Sequence, residues 1–120
     1  MEKKNVLVAD DAAFMRMMLG NMITSIGCNV ITATDGDDAV QKFQQFLPDL
    51  VTLDLTMPIK SGLQALQEIK KINPDAKVIV ISAMGQRDMV IKAIQSGAND
   101  FIVKPFDSDT VKRVIKENLP

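Results

Sequence analysis

Five short apolar runs alternate with amphipathic stretches along the chain. The runs are Asn5 to Ala9, Asn29 to Thr34, Leu50 to Leu53, Lys77 to Ile81 and Asp100 to Val103. All but the second are nearly unbroken Val, Leu and Ile, as strands of a parallel sheet covered on both faces must be. The second alternates apolar with polar residues and runs into Thr34 and Asp35, so it is expected at an edge of the sheet.

Between the runs the apolar period changes to that of a helix. Phe14, Met17, Met18 and Met22 mark one stripe, and Ala39, Val40 and Phe43 a second. Leu63, Leu66, Ile69 and Ile72 mark a third. Val90, Ala93 and Ile94 mark a fourth, within a helix predicted over Gln86 to Gln95, and Val111, Val114 and Ile115 a last one ending near Leu119. The methionines of the first helix are expected in the core. Ser61 and Gln64 have capping-box spacing. Gly27 and Gly97 stand where helices should stop. Lys70 and Lys71 fall in a last turn, where the helix dipole favours cations, and Pro74 follows. Five strand–helix units predict an α/β fold: a five-stranded parallel sheet with helices on both faces.

The chain has 120 residues, the size of one domain, and 47% of them are hydrophobic. Its core must be aliphatic, because there are five Phe and no Trp or Tyr. A net charge of −1, from 14 basic and 15 acidic residues, argues against a nucleic-acid-binding face. With no histidine and one cysteine, Cys28, there is no Ser-His-Asp or Cys-His chemistry, no histidine-ligated zinc and no internal disulfide. Cys28 is expected to be inert packing. The opening Met1-Glu2-Lys3-Lys4 and its five-residue apolar run do not make a signal peptide, and no run approaches the roughly 20 apolar residues of a membrane span. These features set the expectation of a cytoplasmic monomer without membrane insertion. The chain is expected to be a single domain over 1–120, with no output domain.

Chemistry gathers where the strands stop. The first run leads into Asp10 and Asp11, the third into Asp54, the fourth into Ser82 and the fifth into Lys104. Ligands of open α/β sheets bind outside the carboxyl ends of the strands. Any one polar strand end is explained by loop exposure; the set is not. Two like charges about 4 Å apart repel by about 4 kcal/mol at an effective dielectric of 20. One lysine cannot neutralise three acids, so a hard divalent cation, Mg²⁺, is the natural companion. A cation with open positions can accept phosphoryl oxygens, and Asp54 can then act as a nucleophile forming an aspartyl phosphate. Lys104 and the cation would neutralise charge on the transferred group.

The segments VADDAAFMRMML, DLTMPIKSG, SAMG and DFIVKPF resemble the motif blocks of response-regulator receiver domains, in particular the free-standing chemotaxis regulators among them. The likeness runs from the first strand to the last helix. It implies the flavodoxin-like strand order 2-1-3-4-5. It implies Asp54 as phosphoacceptor, Asp11 and Asp54 as direct Mg²⁺ ligands, the Thr56 backbone carbonyl as a third, and Asp10 acting mostly through water. Ser82 is then the hydroxyl that moves to the phosphoryl group, Lys104 its counter-charge, and Lys104-Pro105 the peptide that is cis in the family. Ser82 and Phe101 form the switch. The partners implied are a histidine kinase of the chemotaxis type, the flagellar motor switch protein, bound by the face of helix four, strand five and helix five, and a phosphatase. The protein would be a signalling phosphoacceptor, not an enzyme.

Three positions depart from the usual pattern. Phe101 replaces a frequent Tyr, so its two rotamers can differ only by packing. Met84, two residues beyond Ser82, stands where relatives often carry an acid or amide, and Thr56, two beyond Asp54, where some carry Asn. Neither offers an amide to orient a water, which implies slow self-dephosphorylation and dependence on the phosphatase. Ser61 replaces an acid before Gly62, which reads as helix capping.

A phosphorelay intermediate or the receiver of a larger regulator would share the same site. A flavodoxin would need a Ser/Thr-rich phosphate loop where Asp10 and Asp11 stand, and flavin-stacking aromatics. A phosphatase of the haloacid type would carry its nucleophile on the first strand, under a substrate cap.

Overall fold

A computed structural model describes residues 3–120; Met1 and Glu2, part of the charged opening, lie outside the described residues. Five strands alternate with five helices. They are β1 (Asn5–Ala9), α1 (Ala13–Ser25), β2 (Asn29–Ala33), α2 (Gly36–Phe46) and β3 (Leu50–Asp54), followed by α3 (Gly62–Ile72), β4 (Val78–Ala83), α4 (Arg87–Gln95), β5 (Asp100–Lys104) and α5 (Ser108–Asn118). The strands pair in parallel in the order β2-β1-β3-β4-β5, so β2 takes the edge expected of it.

Successive residues of a strand face opposite sides of the sheet, and the core divides accordingly. Leu7, Val51, Leu53 and Val80 face one layer with Phe43 of α2 and Leu66 and Ile69 of α3. Val6, Val8, Ile79 and Ile81 face the other with Leu19 and Ile23 of α1 and Val111 and Ile115 of α5. Buried Leu and Ile side chains of this kind each contribute about 1.5–3 kcal/mol. Cys28 belongs to the second layer.

Local chemistry marks the helix ends. Ser61 and Gln64 make the anticipated capping box on α3, and Asp35 and Asp107 cap α2 and α5 by accepting from Asp38 N–H and Thr110 N–H. Gly27 and Gly97 follow α1 and α4 with φ of 87° and 102°, a conformation that excludes most side chains. The Lys104-Pro105 peptide is cis.

Several expectations are corrected. The buried stripe of α1 is Leu19 and Ile23, with Met15 and Met22 packed against it, while Phe14 and Met17 are exposed. Apolar residues surround this helix, so periodicity alone chose the wrong face. Ile72 and Ile94 also turn outward. Strand β5 is the second edge and is not covered on both faces: Phe101 and Val103 are exposed on its outer side. Strands β3, β4 and β5 each run further than their apolar stretch, taking in Asp54, Ser82 and Ala83, and Lys104. Backbone pairing does not end where side chains become polar: Asp54 is in register with Ile81 and Lys104 with Ala83. Helix α4 starts at Arg87, with Gln86 at the N-cap position.

Candidate functional site

Strands β1, β3 and β5 bring Asp10, Asp54 and Lys104 together at the carboxyl edge of the sheet. Lys104 Nζ donates to Asp10 Oδ2 at 3.2 Å and to Asp54 Oδ2 at 3.3 Å. Both carboxylates are nearly sealed from solvent, whereas Lys104 is half-buried. Asp11 is exposed beside them, and carboxylate oxygens of Asp10, Asp11 and Asp54 lie within 4.8 Å of one another. Three hard oxygen donors this close, with a single ammonium between two of them, fit a small divalent cation. The third expected donor, the Thr56 carbonyl, belongs to a residue whose own N–H donates to Asp54 Oδ1 at 3.2 Å, so that residue is tied to the acceptor.

Neighbouring groups hold Asp10 rigidly. Its Oδ1 accepts from Ala12 N–H at 2.9 Å, and its carbonyl accepts from Arg16 Nη1 at 2.8 Å. On the other side, the loop after β3 turns back through Ile59, which adopts φ 69°. A β-branched residue in this left-handed region is unfavourable.

Burial raises the Asp54 pKa, and the Asp10 charge raises it further; the Thr56 N–H and Lys104 only partly offset this. Burial works against the Lys104 ammonium, but Asp54 and Asp10 outweigh it, and its pKa rises. Both shifts make stability fall as pH rises, in different windows. Between the ordinary aspartate value and the raised one, folded Asp54 keeps a proton that the unfolded chain has lost, so stability falls as pH rises through that window. Lys104 contributes stability that is fully present below the ordinary lysine pKa and is lost as pH rises through its raised value. Urea midpoints measured in EDTA should therefore fall across the acidic window, and Asp54→Asn should flatten the fall. An unchanged pH profile in that variant would contradict the assignment.

Ser82 is buried at the end of β4. Together with Phe101 it lines a groove of about 480 Å³ between α4 and β5, whose other walls include Gln86, Val90, Ile91 and Val103. Phe101 is 45% exposed.

A family model for the response regulator receiver domain matches residues 6–116. The chain belongs to the response-regulator receiver family. Chemotaxis protein CheY of Thermotoga maritima is 54% identical over 115 residues, covering 95% of this chain and 96% of that one. CheY of Bacillus subtilis is 51% identical over 115 residues, again covering 95% and 96%. With identities this high over nearly the whole of each chain, the receiver is a chemotaxis response regulator. The solved receiver domain of NtrX from Brucella abortus superposes with a TM-score of 0.91 at 35% identity, covering 95% of this chain and 97% of that one.

The fold brings the expected carboxylates, Ser82 and Lys104 to the carboxyl ends of β1, β3, β4 and β5, but sequence reasoning missed one feature beside them. An amide does reach the mouth of the site, although neither Met84 nor Thr56 carries one. Gln86 Nε2 donates to Thr56 Oγ1 at 2.8 Å. The two residues are 30 apart in sequence, and only the fold reveals the contact. Met84 is 74% exposed.

Proposed function

We propose that Asp54 accepts a phosphoryl group from a histidine kinase and that its arrival alters the α4–β5–α5 face, which binds the flagellar motor switch. The observation that carries this reading is the Lys104 ammonium shared between the buried Asp54 and Asp10 carboxylates, with Asp11 alongside. Asp10, Asp11, Asp54 and the Thr56 carbonyl would hold Mg²⁺. When bound, Mg²⁺ supplies positive charge against the phosphoryl oxygens.

The remaining chemistry belongs to the chain. An oxygen of the Asp54 carboxylate attacks phosphorus in line with the departing group. The O–P bond forms as the P–N bond of the phosphohistidine breaks, and that electron pair leaves on the imidazole nitrogen. Lys104 keeps its proton, as its raised pKa requires, and acts as a counter-charge to the phosphoryl oxygens, not as an acid. The Ser82 hydroxyl moves to donate to one of them. This vacates space beside the α4–β5 groove into which Phe101 can turn by packing alone.

In this reading the protein is a cytoplasmic carrier of the signal between kinase and motor. No helix among the described residues is long and apolar enough to cross a membrane. The test is a mass measurement after incubation with acetyl phosphate and Mg²⁺. One added phosphoryl group is expected, absent in Asp54→Ala and absent without Mg²⁺. Full modification of Asp54→Ala would refute the assignment.

A further inference from the structure

Gln86 occupies the N-cap position of α4 yet makes no side-chain bond to its own helix. Its amide is used elsewhere. Oε1 accepts from Ala83 N–H at 2.8 Å, and Nε2 donates to Thr56 Oγ1 at 2.8 Å. Ala83 directly follows Ser82, and Thr56 donates its own N–H to Asp54 Oδ1. One side chain therefore links the loop that follows the acceptor strand to the end of the strand that carries the switch hydroxyl.

We propose that Gln86 is a positioning residue for phosphoryl transfer at Asp54, clamping the β4–α4 loop to the acceptor loop through Thr56. This rests on Asp54 being the acceptor. An amide suits the place because it offers a donor and an acceptor at fixed separation without charge. A glutamate there would add a fourth carboxylate to the cluster, and a lysine could not accept from Ala83. The Oε1 acceptor and one Nε2 hydrogen are already committed to the protein, so the group holds the loops in place and is not set up to orient a water. In-line attack needs the Asp54 oxygen and the donors around the phosphoryl group in fixed relation, and small misplacements slow such reactions strongly. The clamp also bypasses the Ser82–Phe101 route: it joins Thr56 directly to the start of α4.

The test is a double-mutant cycle on the full chain. Gln86→Met keeps the side-chain length and removes both hydrogen bonds; Thr56→Val keeps the shape and removes the hydroxyl. The initial rate of phosphoryl uptake from acetyl phosphate at saturating Mg²⁺ is followed by mass, alongside Tm and the Mg²⁺ dissociation constant by calorimetry. Thr56→Val should take up phosphate roughly 2- to 10-fold more slowly, the range expected for one hydrogen bond, and Gln86→Met, which loses two, at least as slowly. The double variant should be no slower than the slower single one, because both changes break the same link. Tm and Mg²⁺ affinity in Gln86→Met should stay close to wild type. Wild-type uptake in Gln86→Met, multiplicative effects in the double variant, or a slowing matched by lost Mg²⁺ affinity would each overturn the clamp. Failure of the wild type itself to gain a phosphoryl group would instead overturn the acceptor reading.

Discussion

Gly62→Ala should be among the most destabilising single substitutions available to this protein, costing more than about 3 kcal/mol. A Cβ at position 62 would lie 2.1 Å from the Asp54 carbonyl oxygen and 2.7 Å from Leu55 Cα. These are backbone atoms at the end of β3, which is paired with β1 on one side and β4 on the other, so they cannot give way. The ordinary gain from replacing a helical glycine by alanine, about 1 kcal/mol, is too small to compensate. Gly20→Ala provides the contrast. It lies inside α1, and the nearest atom to its added methyl would be Val30 Cγ1 at 3.7 Å, an ordinary contact. That variant should gain up to about 1 kcal/mol. Urea denaturation of the two proteins should give midpoints displaced in opposite directions; equal midpoints would show that α3 is not packed against the acceptor strand as described.

Lys104→Met should cost about 3 kcal/mol in EDTA, in the range for breaking a buried ion pair from one side. The methionine can occupy the lysine stem's place, so the loss is chiefly electrostatic. Asp10 and Asp54 would then face one another with no cation between them. Two remedies should each restore stability. Adding Asp54→Asn removes one of the two charges. Adding Mg²⁺ stabilises by mass action, by about 2.7 kcal/mol at a hundred times its dissociation constant. If Lys104→Met denatured at the wild-type urea concentration in EDTA, and Mg²⁺ changed neither protein, the view of the site as a charge cluster in need of a cation would fail.

The sequence reading succeeded where one periodicity dominated. The apolar runs of β1, β3 and β4 are interior strands, as read, and α2, α3 and α5 each presented one apolar face. It failed for α1, where Phe14, Met15, Met17, Met18, Leu19, Met22 and Ile23 surround the helix and no single face stands out. It overestimated the covering of β5, because a run of Phe, Ile and Val looks the same at an edge as in the interior. The acids and the lysine of the site were legible because strand ends of a parallel sheet must converge on one edge. The bond from Gln86 to Thr56 was not, because it depends on the path of two loops, and loop geometry leaves no periodic trace.

Helix α4 is anchored more lightly than its neighbours. Ala93 is its single buried residue, against two to four in each of the other helices. Segments with little buried apolar surface open at a free energy well below that of global unfolding. A lightly held helix can shift while the sheet and the other four helices stay folded. Its backbone amides would then exchange with solvent sooner than those of the sheet, and a signal passed through it need overcome only that local cost.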